Sequence, residues 1–203
     1  MRIFISYSSH DANAVRPLIH TLQQAQEQVW FDEQLGGGDE WWRVILERIR
    51  DCDVFVVALS DNWIHSKACR SEFDYASGLN KPVLPAQVAP VPSLRTSPFG
   101  SMQVVDCRVI TVESGVRLVA ALHSLRSRAQ PLPDVLPPEP PVPFAYLARA
   151  ASSLDHHTQL TPQEQFMLVA ELRSGLQEDG HDVAVRTDIS HLLSALRDRP
   201  DIT

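Results

Sequence analysis

Six consecutive apolar residues, Val54-Phe-Val-Val-Ala-Leu59, restrict this chain more than any other feature. The run lacks the alternation of a half-buried strand and is too short for a buried helix. It reads as a strand covered on both faces and placed centrally in a sheet. Other strands flank it. Arg2 to Ser6 is a short apolar strand ending in a polar loop, and Val29 to Phe31 is a second strand. Pro82 to Val88 is weaker, with prolines that suit a strand end or a sheet margin, and Met102 to Asp106 is a fifth. Helical spacing fills the intervals. Val15, Leu18, Ile19 and Leu22 share one face, as do Trp42, Ile45, Leu46 and Ile49. Further helices are expected from Ser66 to Ser77 and from Thr111 to Arg128. This alternation implies an α/β domain: a five-stranded parallel sheet with helices on both faces. Ligands of such sheets bind beyond the carboxyl ends of the strands. The functional loops are therefore 7–11, 32–39 and 60–66.

The chain has 203 residues, room for one domain of common size and an appendage. Residues 131 to 143 hold seven prolines in thirteen, the composition of a semi-rigid extended linker. The expected organisation is a domain over 1–129, a linker over 130–143 and a helical interaction region over 144–203. In that last region Thr161-Pro-Gln-Glu164 is a capping box with proline at the first helical position. Phe166, Val169, Leu172 and Leu176 are expected to line the helix, with Gly180 ending it. Asp188 is expected to cap a final helix bearing Ile189, Leu192, Leu193 and Leu196. Three short helices make a marginal core. They are expected to dock on the first domain, a copy of themselves or a partner.

Several function classes are disfavoured. A net charge of −7 argues against a broad nucleic-acid footprint. Three widely spaced cysteines, none in a C-x-x-C pair, read as reduced thiols of a cytoplasmic protein, with neither a disulfide frame nor a zinc site. The histidines show no metal-binding spacing. The N-terminal apolar run is too short for a signal peptide, and no run is long enough for a membrane helix. Gly36-Gly37-Gly38 follows a strand but lacks the spacing of a dinucleotide fingerprint, and no phosphate-loop pattern occurs.

One segment carries chemistry. Trp63-Ile-His-Ser66-Lys-Ala-Cys69-Arg-Ser-Glu72 places a carboxylate in a short, partly apolar helix just after the buried strand. With the opening Ile3-Phe-Ile-Ser-Tyr-Ser it resembles a TIR (Toll/interleukin-1 receptor) domain of the bacterial type. The resemblance covers Met1 to about Arg128. Trp30-Phe-Asp32 followed by Leu35 and Gly38-Asp39 is similar to the family's second strand and BB loop, and Ser66-x-x-Cys69-x-x-Glu72 to its S-x-x-C-x-x-E helix start. Ile49-Arg-Asp-Cys-Asp-Val-Phe-Val-Val-Ala-Leu-Ser60 resembles its third strand, and the four pieces in this order are far more specific than any one alone. Many members have tryptophan directly before the cysteine, where this chain has Ala68.

The resemblance implies a flavodoxin-like TIR fold and one of two activities. Some members cleave NAD+ at the nicotinamide–ribose bond, giving ADP-ribose or a cyclic variant, with the motif glutamate catalytic. That role carries over to Glu72. NAD+ is then the substrate, with no cofactor or metal, and activity follows homo-oligomerisation through TIR domains and the BB loop in a bacterial defence or stress response. Other members are non-catalytic adaptors that recruit further TIR domains. A third, weaker possibility is a related N-glycosidase acting on another nucleotide. The 144–203 helices would read a helical partner or upstream sensor.

The candidate substrate-binding residues are Tyr7, Ser8, Ser9, Phe31, Asp32, Gly38, Arg43, Trp63, Ser66 and Cys69. The serines at the first strand's end suit hydrogen bonds to ribose or phosphate. Phe31 and Trp63 suit stacking, and Arg43 a phosphate. Plainer readings stand beside these. Ser66 is an N-cap, Cys69 a small buried hydrophobe packed under the site, and Tyr7 and Phe31 packing residues.

Overall fold

A computed structural model describes residues 1–31, 39–127, 129–143, 161–177 and 183–197. They fall in two compact units, residues 1–35 with 43–140, and residues 36–42 with 141–203.

The first unit is built on a five-stranded, all-parallel sheet. The strands are β1 (Arg2–Ser6), β2 (Gln28–Phe31), β3 (Val54–Leu59), β4 (Val83–Gln87) and β5 (Val105–Asp106), in the order β2-β1-β3-β4-β5. The helices are α1 (Ala12–Gln24), α2 (Asp39–Asp51, in this unit from Arg43 onward), α3 (Asp61–His65), α4 (Lys67–Gly78) and α5 (Val112–Arg126). Every residue of β3 is buried, and β3 lies mid-sheet, as its unbroken apolar run demands.

Alternation sorts the side chains into two layers. Ile3, Ile5, Val54, Val56 and Ala58 join Val15, Leu18 and Leu22 of α1 and Leu118 and Leu122 of α5 in one core. Phe4, Phe55, Val57 and Leu59 have the opposite parity and are equally buried. Phe4 stacks on Phe55 with ring centroids 5.3 Å apart. Ser6 shares the parity of Phe4, so it faces the layer of α4 rather than that of α1.

Several expectations change in detail. β4 is interior in strand order although Pro85 stands within it. The ladder to β5 begins only at Ala86, so β4 has no outer neighbour at Pro85 and the missing N–H breaks no bond there. β5 is two residues long, against five expected, and a groove of about 1100 Å³ lies along β4, β5 and α5. Residues 60–66, expected as a loop, contain α3. Thr111 lies outside α5 as its cap, in a reciprocal capping box with Ser114. The proline-rich segment up to Pro140 belongs to the first unit. Glu139 pairs with Arg50 at 2.7 Å, and a Cβ on Gly78 would stand 3.1 Å from Pro137, so glycine lets this segment lie against α4.

The second unit contains α6 (Pro162–Gln177) and α7 (Val183–Arg197). Leu168, Leu172, Ile189, Leu193 and Leu196 form its core. The Thr161–Glu164 capping box is present, with Thr161 N–H donating to Glu164 at 2.8 Å. Phe166 is not a core residue: it is 73% exposed, and Leu168 takes its place. At 3.6 residues per turn Leu168 lies about 40° from Leu172 around the helix, and Phe166 about 120°. Asp188 does not cap α7, which already begins at Val183. Gly180 lies outside the described residues. No described helix is long and apolar enough to cross a membrane.

Candidate active site

The strand order places a topological switch between β1 and β3, the position at which flavodoxin-like sheets open a crevice. Two buried carboxylates sit at the carboxyl ends of these strands. They reach it by different routes.

Glu72 comes from α4. Ser60 ends the β3 segment and caps α3, its hydroxyl accepting from Trp63 N–H at 2.9 Å. Ser66, extended at φ −75° and ψ 118°, closes α3 and caps α4 by accepting from Cys69 N–H at 3.3 Å. Capping there fixes the phase of α4. Cys69, Glu72, Tyr75 and Ala76 then share its buried face, and Glu72 is 7% exposed. Its Oε2 accepts from the hydroxyl of Ser6, the last residue of β1, at 2.5 Å. Ser6 in turn accepts from Trp63 Nε1 at 3.0 Å.

Asp11 comes from the 3₁₀ turn Ser9–Asp11 after β1. It is 6% exposed and accepts from Ser60 Oγ at 2.5 Å and from Asn62 Nδ2 at 2.9 Å. These bonds tie the loop after β1 to the start of α3. The site is thus a rigid polar seam between β1, β3 and α4, walled by aromatic rings.

Electrostatics exclude a thiolate nucleophile here. Burial pushes the Cys69 thiol well above its ordinary range, and the Glu72 charge adds to this; the Ser66 and Ser6 hydroxyls act the other way. Burial also raises Cys52 and Cys107 to about 12. All three are free and buried. The native protein should therefore leave its three cysteines unmodified by iodoacetamide at pH 8 and expose all of them on denaturation. The unfolded thiol ionises near pH 9.0, whereas folded Cys52 keeps its proton to about 12. The folded state binds more protons across that window. Its stability is therefore full below pH 9.0 and falls as pH rises towards 12, which alkaline urea titrations would register.

The other candidates are placed as follows. Tyr7 and Phe31 are half-buried and pack on the core. Ser8 is buried and its carbonyl accepts from Asp11 N–H at 2.8 Å; Ser9 opens the 3₁₀ turn. Trp63 is 2% exposed and meets Phe73 and Phe99 edge-on, with centroids at 6.0 and 5.2 Å. Its ring is a core element rather than an open stacking platform, and its N–H is what reaches the site. Ser66 acts as the helix cap, and Cys69 packs beside Glu72. Arg43 is exposed on α2. Asp32 and Gly38 lie outside the described residues.

Sequence reading missed Ser6, Ser60 and Asn62, and placed Asp11 only within the 7–11 loop. A signal was present: Ser6 and Ser60 each stand where an apolar run gives way to a polar residue.

The family model described as TIR domain matches residues 3–118. No curated protein matches the chain.

Proposed function

The chain belongs to the TIR-domain family, and from this premise we propose that it is an NAD+ glycohydrolase with Glu72 as its catalytic carboxylate. The observation that carries the reading is the burial of Glu72 at the β1/β3 switch point, anchored by Ser6. A desolvated carboxylate at the mouth of a parallel sheet is costly unless paired or put to use.

One carboxylate suffices for this chemistry. Glycosidases acting on O-glycosides need a second, acidic group to protonate the leaving oxygen. Nicotinamide is a cationic pyridinium in NAD+ and leaves neutral, so no acid is needed. As the C–N bond breaks, its electron pair goes to nicotinamide and positive charge grows on the ribose. Glu72 stabilises that charge from a fixed position, an electrostatic contribution directed at the transition state. Water then adds to the ribose, or an internal nucleophile closes a ring. Cys69, held neutral, supports packing rather than attack.

The remaining assignments are part of the same proposal. NAD+ is substrate rather than cofactor, the protein is cytoplasmic, and turnover follows homo-oligomerisation in a defence or stress pathway. Residues 144–203 receive the signal. Clustering would act by raising effective concentration.

The test is nicotinamide release from NAD+ by the purified protein, dilute and clustered on beads, with chromatography of the products. Release on clustering supports the reading. No release under either condition leaves the adaptor function. Release of a different base from another nucleotide would redirect the assignment to a related N-glycosidase.

A further inference from the structure

We infer that Ser6 is the positioning residue of the Glu72 carboxylate, held in its donating orientation by the indole of Trp63. Its consequence for turnover rests on the reading of Glu72 as catalytic, but the geometry stands without it. The hydrogens available on each group set the direction of the bonds. Indole Nε1 has one hydrogen and no acceptor capacity, so across 3.0 Å it donates and Ser6 Oγ accepts. The Ser6 hydroxyl has a single hydrogen, and Glu72 Oε2 lies 2.5 Å away to receive it. With the carboxylate ionised, the bonds run from Trp63 through Ser6 to Glu72, and the Cys69 thiol is a second neighbour of the Ser6 hydroxyl. Trp63, Ser6 and Glu72 are buried, at 2%, 1% and 7% exposure, so water competes poorly for any link.

The direction has two consequences. First, with Ser6 donating, Oε2 is an acceptor, the arrangement of an ionised carboxylate; a protonated carboxyl would reverse this link, because a serine oxygen can accept two bonds. The 2.5 Å separation lies in the range of charge-assisted O–H···O⁻ bonds. Second, tying one oxygen fixes the plane of a carboxylate whose terminal torsion is otherwise broad. Trp63 owes its own place to the Ser60 cap and to Phe73 and Phe99. A buried serine at the end of β1 is thereby made a determinant of the site. Among the described residues, titratable groups bearing on the region include Cys69 on the same helix, and Asp11 on the turn after β1, whose charge is felt at Cys69. Both are retained in the variants below, so differences among variants report the Ser6 link.

The test follows the Glu72 carboxyl by ¹³C NMR, its resonance identified by loss in Glu72→Gln. The parent, Ser6→Ala and Trp63→Phe are titrated. Removing a donor from the charged form should raise the midpoint by about one pH unit in Ser6→Ala. Trp63→Phe should raise it by less, since the hydroxyl stays but loses its orientation. In clustered protein cleaving NAD+, the acid limb of kcat should move by the same amount with KM unchanged. A packing defect would instead lower kcat at every pH and leave the midpoint alone. An unmoved midpoint in folded Ser6→Ala overturns the inference. If that variant does not fold, an unmoved midpoint in Trp63→Phe does so. A shifted midpoint in a protein that cleaves no NAD+ keeps the positioning role and removes the enzymatic reading.

Discussion

Glu72→Gln should lower nicotinamide release by the clustered protein about 10²–10³-fold or more while leaving it folded. Glutamine keeps the volume of the side chain and offers Ser6 a carbonyl oxygen to donate to, so the 2.5 Å contact has a successor. What it removes is the negative charge. In the proposed step that charge matters most when the ribose becomes cationic, so the loss should fall on kcat rather than KM. Thermal stability should hold or rise, because a buried charge is exchanged for a neutral amide. Equal turnover by the parent and a folded Glu72→Gln protein would remove this residue from the chemistry. A loss accompanied by an equal rise in KM would make it a ground-state binding group instead.

Phe55→Ala should cost the first unit about 3–5 kcal/mol. Phe55 is fully buried in the central strand and stacks on Phe4 at 5.3 Å with 8° between ring planes. Its loss leaves a cavity between two strands that β1, β3 and their helices cannot close without moving the sheet. Against a typical total of about 5–15 kcal/mol this is a large share. Urea denaturation should show a lower midpoint with an unchanged m-value. Val116→Ala, at an α5 position 64% exposed, should stay within about 0.5 kcal/mol of the parent. Comparable costs at the two positions would contradict the core described above.

Much of the fold was legible because burial on both faces leaves a composition signature. The apolar run 54–59 has no polar position, and the 15, 18, 19, 22 stripe of α1 is the stripe found buried. The short elements were harder. The five residues of α3 are too few for a period to show, and β5 is set by where Ala86 and Gln87 find a partner rather than by its own residues. In α6 the apolar cluster 166–169 offered more than one stripe, and only packing against α7 chose Leu168 over Phe166.

The site divides along the same line. The order Ser66, Cys69, Glu72 identified the carboxylate, because cap and helix period are local properties that place these residues on one face. By itself, then, the sequence determined the strand succession, the longer helices, the family and the helix face of Glu72. Only the tertiary structure decided what meets that carboxylate. Ser6 lies 66 residues from Glu72 along the chain, Trp63 57 from Ser6, and Ser60 49 from Asp11. Hydrogen bonds between such distant residues leave no periodicity in sequence. They exist because the crossover from β2 to β3 sets β3 beside β1 and brings the carboxyl ends of both strands to the same edge of the sheet.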